Sequence, residues 1–368
     1  MKTILIIALV STSVNICAQD AGKTNPSSPT QDRTPQIQSE KMVLIPLELS
    51  GLLLNPYRCD GDENIYYRRV GLDDGLRDPI KRVDIRGELK ATYDIQQAGS
   101  DFYAVDYFVS AEGEVSALGW NQGGRWVTGI AVATFGKDGN FKSATKLQTP
   151  MVEGHAGGDR VVYPGIAPHT IGVFQDGSFL VTGLSTPTAK DKLPDGTPIR
   201  HPFTAVFKSD GSLAGEVRIR DDKQIEEAIK KGDHSLIPDG SREEAFTSGS
   251  ILAGIDGNLY LWRKTSPLIL YAVSPSGEIV RTVKVNAPQA GMMPDAVASH
   301  GGNLAVLFVS GLNGPKQIVV ADQQTGETRH TYDVENSLGV ALTCYSPPDF
   351  IFLGSDRGRM SLRTATAR

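Results

Sequence analysis

The chain has 368 residues, 40% of them hydrophobic and 21% charged, with a formal charge of −5 at pH 7. That composition belongs to a globular protein with a sizeable core. The acidic balance sets aside a phosphate-tracking nucleic-acid binder, and no window reaches the length of a transmembrane helix.

In chain order, Lys2 is followed by the apolar run Ile4 to Val10 and then by small polar residues up to Ala18. One cation, a short apolar core and a small residue at its end are the parts of a secretory signal peptide. Residues 1–18 are therefore expected to direct export, to the periplasm or the extracellular space. Residues 19–39 hold almost nothing apolar and are expected to form a disordered leader. The globular domain is expected over 40–368.

From there a phrase recurs: an apolar strand, a turn centred on glycine, and another strand. It appears as Glu112-Gly113-Glu114, Asp138-Gly139-Asn140, Asp176-Gly177-Ser178 and Asp210-Gly211-Ser212. It continues as Asp256-Gly257-Asn258, Ser276-Gly277-Glu278, Gly301-Gly302-Asn303 and Thr325-Gly326-Glu327. Such turns need positive φ, which glycine adopts without strain. Two flavours alternate. After Gly177, Gly257 and Gly302 the next strand is strongly apolar, as a buried middle strand requires. After Gly277 and Gly326 it alternates with charge, as an outer strand with one wet face does.

A four-stranded unit with tight first and last turns accounts for both flavours, so the fold expected is all-β: a single β-propeller. Six blades are counted, with seven as the alternative. They begin near residues 50, 101, 168, 248, 294 and 338. The sixth shows three strands, and its outer strand is expected from the other end of the chain, residues 41–49. Closure of this kind removes the open edges of a sheet.

Two phrases, Gly254-Ile-Asp-Gly-Asn-Leu-Tyr-Leu-Trp262 and Leu270-Tyr-Ala-Val-Ser-Pro-Ser-Gly-Glu-Ile-Val-Arg281, resemble those of NHL-type and related six-bladed propellers. The resemblance covers most of the domain and implies a fold, with little functional content.

The repeat is interrupted by three insertions, 149–167, 184–202 and 220–247, all expected on the face opposite the tight turns. Within the last, residues 221–232 read as a short helix ended by Gly232. Loops on a rigid scaffold are where function concentrates. Four histidines fall there, His155, His169, His201 and His234, with Asp159 nearby. These five are the candidate ligand-binding residues, though polar loops gather histidines without any such role. A divalent metal is a candidate cofactor for them, and the sequence requires none.

Other motifs carry less. Asp60-Gly-Asp-Glu-Asn64 opens like a calcium loop but lacks its later glycine and glutamate, so a plain turn is expected. Trp120 and Trp126 flank a Gly-rich hairpin and suit blade packing better than sugar stacking. No nucleophile elbow, Walker loop or His-Glu-x-x-His occurs. The function expected is an exported binding or scaffold propeller that recognises a protein, peptide or glycan through the loop-rich face. The alternative is a metal-dependent hydrolase or lactonase with its ion in the channel. Cys59 and Cys344 are expected to form a disulfide, because the first and last blades become neighbours once the ring closes.

Overall fold

The computed structural model describes residues 34–46, 49, 53–69, 77–123, 126–156, 159–185, 202–219, 249–311, 314–338, 341–356 and 359–367. These residues form one β-propeller arrangement. Strand β1 (Gln36–Leu44) comes first. A four-stranded sheet follows from β2 (Leu53–Cys59), β3 (Ile65–Arg69), β4 (Ile80–Val83) and β5 (Leu89–Tyr93), and a second from β6 (Phe102–Val109), β7 (Val115–Gly123), β8 (Trp126–Phe135) and β9 (Phe141–Leu147). A separate hairpin, β10 (Met151–Ala156) and β11 (Asp159–Pro164), precedes the third sheet: β12 (Ile166–Val173), β13 (Phe179–Ser185), β14 (Pro202–Phe207) and β15 (Leu213–Glu216). The fourth holds β16 (Ile251–Ala253), β17 (Leu259–Arg263), β18 (Leu268–Val273) and β19 (Ile279–Val285). The remaining strands are β20 (Met293–His300), β21 (Asn303–Val309), β22 (Lys316–Asp322), β23 (Thr328–Val334), β24 (Ala341–Ser346), β25 (Asp349–Asp356) and β26 (Arg359–Ala367). With β1 they make one eight-stranded sheet, ordered β20-β21-β22-β23-β1-β26-β25-β24.

Strand burial follows position in each sheet. The second strands are almost wholly buried, as in Phe179–Leu184 of β13 and Leu304–Phe308 of β21. The outer strands are more exposed: β19 alternates, and β23 turns Arg329 and His330 to solvent. The glycines at 113, 139, 177, 211, 257, 277, 302 and 326 all have positive φ, between 76° and 89°. Beside Gly87, Gly139, Gly211, Gly277 and Gly326, the last hairpin of each sheet carries the same one-residue register shift. At the first four that is the geometry of a three-residue loop closed by a glycine bulge, and at Gly326 the loop has four residues, between Asp322 and Glu327.

The first strands of successive sheets are packed side by side in the cyclic order β2, β6, β12, β16, β20, β24 and back to β2. Closure of the last sheet occurs as expected but earlier in the chain. The strand is Gln36–Leu44 rather than 41–49, running antiparallel to β26 from Ile37 opposite Ala367 to Leu44 opposite Ser361. Pro46, which has no N–H to donate, lies just past it. The end of the stretch read as a leader is thus part of the sheet, where Ile37 is fully buried. That single apolar residue in a polar run supplies the anchor.

Two further expectations are corrected. The segment 149–167 contains the β10–β11 hairpin, because Val152, Val161 and Val162 and the adjoining tyrosine favour strand. The last sheet starts at Ala341, after a short 3-10 turn at Asn336–Leu338. The helix expected at 221–232 lies outside the described residues. Among those residues, no helix is long and apolar enough to cross a membrane.

Cys59, at the end of β2, and Cys344, within β24, form a disulfide with Cα atoms 5.7 Å apart at a sequence separation of 285. It joins the first strand of the first sheet to that of the last. Reduction, or Cys59→Ala with Cys344→Ala, is expected to lower unfolding stability by about 3–5 kcal/mol, read by urea denaturation with and without reductant.

The turn aspartates set the acid limb of stability. The Ser178 hydroxyl and amide hold the Asp176 carboxyl below its ordinary value, and those of Ser212 do the same for Asp210. A carboxyl lowered in the folded state contributes stability above its unfolded value, and that stability is lost as pH falls through the folded value. Urea midpoints are therefore expected to be flat near neutrality and to drop below about pH 4. Asp176→Asn with Asp210→Asn should shallow that drop.

Candidate functional site

The site is built on the first strands of the sheets, and its parts are placed by a repeated bulge. In β6 the register with β7 shifts between Ala104 and Asp106, at Val105. In β12 it shifts between Pro168 and Thr170, at His169. The same slip falls at Asp295 in β20 and at Thr343 in β24. Opposite the first two stand Gly119 and Gly183, where a Cβ would lie 2.1 Å from the carbonyl oxygens of Tyr103 and Ala167. A bulge re-aims the residue that follows it. Here those residues are Asp106, Thr170, Ala296 and Cys344, and Arg58 follows the corresponding irregularity in β2.

Three of these side chains, Asp106, Thr170 and Arg58, meet. Asp106 is completely buried, and one of its carboxylate oxygens, Oδ2, takes every donor in reach. The Thr170 hydroxyl donates to it at 2.5 Å, the Ile171 amide at 3.0 Å and the Gly249 amide at 3.3 Å, and Arg58 Nη2 stands 3.7 Å away. Arg58, 8% exposed, donates Nε to the Tyr107 carbonyl at 2.6 Å and Nη1 to the Ile251 carbonyl at 2.9 Å. One arginine from the first sheet therefore grips the second and reaches the fourth, with the third held through Thr170. Buried side chains thus link the inner strands of four sheets.

A second arginine, Arg68 at 1% exposure, donates to two carbonyls at the β6 bulge: Ala104 at 2.5 Å and Val105 at 3.4 Å. Burial pulls its guanidinium below the ordinary value, an effect opposed by Tyr107, Asp106 and Asp78. The Tyr107 hydroxyl donates to the carbonyls of Pro56 and Tyr66. Burial pushes the Asp106 carboxyl above its ordinary value, against the pull of Arg58, Thr170 and the two amides. A raised carboxyl is favoured in its protonated form, so its contribution weakens as pH rises through the shifted value, the reverse of the turn aspartates.

The expected ligand-binding set is only partly brought together. His155 and Asp159 sit at the tip of the β10–β11 hairpin, where His155 pairs with Arg160 and Ala156 with Asp159. His169 is the half-buried bulge residue of β12, on a different element. His201 and His234 lie outside the described residues. Among the described residues, no three of His, Cys, Asp and Glu gather as a set that could hold a metal ion. The Asp60 loop is a turn: its carboxylate accepts from the amides of Asp62 and Asn64, the Asn64 side chain and the Tyr66 hydroxyl. Trp120 stacks on Tyr103 at 6.3 Å and 14°, with the Arg77 guanidinium 5.5 Å from the Tyr103 ring centre, so these rings serve packing.

Sequence reasoning missed Arg58, Arg68 and Asp106. A signal was present for one of them: Asp106 interrupts the apolar run Phe102-Tyr-Ala-Val-Asp-Tyr-Phe-Val109, and a carboxylate in such a strand must find partners.

Neither a protein-family model nor a curated protein matches the sequence. Solved structures do match in shape. A protein of unknown function from Dyadobacter fermentans superposes with a TM-score of 0.51 at 9% identity, covering 91% of this chain and all of that one. A gluconolactonase from Xanthomonas campestris gives 0.42 at 12% identity, over 90% and 99%. YCF48 bound to D1 peptide gives 0.39 at 11% identity, over 92% and 97%. At such identities a likeness concerns fold alone, and of these three the Dyadobacter structure carries it. The NHL-type resemblance accordingly gives no family assignment.

Breaking the central pair from one side should be costly. Arg58→Met or Asp106→Leu alone is expected to destabilise by about 3–5 kcal/mol, because each leaves a buried charge without its partner. The double variant should cost less than the sum of the two by at least about 1 kcal/mol. Urea unfolding of all four proteins measures the coupling, and strict additivity would show that the two side chains act separately.

Proposed function

We propose that this protein is an exported six-bladed propeller, its eight-stranded sheet counting as two blades, that binds a protein, peptide or glycan through the face opposite the tight turns. The observation that carries the reading is the asymmetry around the third sheet. Its strands follow the regular pattern, yet every long connection enters or leaves it. The β10–β11 hairpin precedes it, residues 186–201 connect β13 to β14, and 220–248 lead on to β16. By strand direction all three emerge at the same end. The hairpin carries large apolar side chains into solvent, Met151 at 47% and Val162 at 52% exposure, and an exposed apolar patch at a loop cluster is the usual mark of a recognition surface.

The buried polar groups of the inner strands favour recognition at a surface: Arg58 and Asp106 are directed to the protein's own backbone and side chains. The disulfide agrees with export, since such bonds persist in oxidising compartments. A metal-assisted hydrolase is the second reading, and it depends on His155, Asp159, His169, His201 and His234 converging.

Glycan and peptide arrays probed with the purified protein, together with elemental analysis, separate the two. Binding is expected to fall at least about tenfold in Met151→Asp with Val162→Asp and to be unchanged in Leu89→Asp, on an outer strand. Stoichiometric zinc or calcium, lost in His155→Ala with His169→Ala, would replace the binding reading with the enzymatic one.

A further inference from the structure

The last sheet carries an edge and a face that its own residues leave unsatisfied. β1 pairs with β26 from Ile37 to Leu44 but with β23 only at Gln36 and Ile37. Beyond Ile37 its other edge has no strand beside it among the described residues. The Ile45 amide donates to the Met360 carbonyl of β26 at 2.9 Å. Backbone groups alternate along a strand, so the amides and carbonyls of Met42 and Leu44 point the other way, to the open edge. Their side chains are exposed as well, at 43% and 37%. The devices that blunt an edge, a bulge and charged side chains, stop at Lys41.

β26 supplies charge beside that edge. Met360 and Leu362 face the first sheet, in one apolar cluster with Ile65, Tyr67 and Val83. Arg359, Ser361 and Arg363 alternate with them and share the opposite face, with Ser361 across from Leu44 and Arg363 across from Met42. Among the described residues Arg363 has no hydrogen-bond or ion-pair partner, and its Nε is buried. Arg359 donates Nη2 to the Ile45 carbonyl at 3.3 Å, and its Nε is also buried without a partner. Between them Ser361 is fully buried with its hydroxyl unpartnered. Asp356, across from Arg359 in the ladder, forms no ion pair with either arginine. Two guanidinium groups and a hydroxyl with donors to spare, next to exposed apolar side chains, call for an acidic partner with apolar character.

We propose that this edge and face bind an extended acidic peptide of a partner protein, added as a strand beside β1. Its backbone pairs with Met42 and Leu44, and alternate carboxylates on the shared face meet Arg363 and Arg359. The open edge selects a peptide over an acidic glycan, which has no alternating amides to match it. The site uses none of the residues of the β10–β11 hairpin, so it and the recognition proposed there stand or fall separately.

Three end-blocked octapeptides test the site: alternating valine and glutamate, alternating valine and lysine, and the first with its amides N-methylated. Each is titrated into the full protein at constant ionic strength, followed by calorimetry and amide NMR shifts. Saturable binding is expected for the unmodified glutamate peptide alone, with shifts at residues 41–45 and 359–363. Arg363→Gln should weaken it roughly tenfold or more. Met42→Pro, which removes an amide pointing away from β26, should weaken it to a similar degree. If these variants do not fold, the two control peptides decide the matter on the unaltered protein. No saturable binding by the glutamate peptide, equal binding by either control, or binding unchanged in Arg363→Gln would overturn the proposal. So would a glucuronate oligosaccharide that binds as tightly with the same shifts.

Discussion

A ring of twisted sheets holds together only if its seams do, and in this protein the inner seams are fastened at one level by groups of different chemistry. A disulfide joins the last sheet to the first, an arginine–carboxylate pair joins the first to the second, and a hydroxyl–carboxylate bond joins the second to the third. The arginine then reaches the fourth through a backbone carbonyl. Asp106, Thr170 and Cys344 each follow the same local device, an extra residue in the innermost strand, and Arg58 follows a larger irregularity in β2. One backbone irregularity, repeated, lets unrelated side chains serve as equivalent fasteners.

That belt explains why buried charge is tolerated. Arg58 and Asp106 would each be prohibitive alone in an apolar interior. Together they occupy a position with no second apolar layer to pack against, and they bond four strands that share no ladder. An apolar pair of the same volume could fill the space but could not bind backbone carbonyls and amides in four directions. The requirement is directional, which dispersion forces do not meet.

Most of the architecture was legible in the sequence because it rests on local chemistry. Glycine at each tight turn, unbroken apolar second strands and alternating outer strands are all set by neighbours a few residues away. The Cys59–Cys344 bond followed from ring closure. What escaped was set by distant partners or by very short signals. The start of β1 depends on Ile37, one buried residue in a polar stretch. The β10–β11 hairpin was hidden in what looked like an insertion. The Arg58–Asp106 pair joins residues 48 positions apart that no periodicity links, although Gly119 and Gly183, breaking their apolar strands, marked the bulges that place them. Of the five residues read as a ligand set, His155 and Asp159 share one hairpin tip and His169 stands on a neighbouring strand, because a histidine's place in a loop says nothing about which strand end it will face.

The position of β1 has a consequence for how the molecule comes into being. It is the earliest strand among the described residues, yet it lies between β23 and β26, pairing Gln36 with Asp333 on one side and Ile37 with Ala367 on the other. No partner for it exists until residues beyond 330 have been made. During synthesis the segment must wait, unpaired, while the other sheets assemble. The final step is then the meeting of two strands separated by nearly the whole polypeptide, a contact of the slow, non-local kind. Until β1 docks, the β26 edge lacks its neighbour. A protein of this design is most vulnerable to mispairing at the moment just before it is finished.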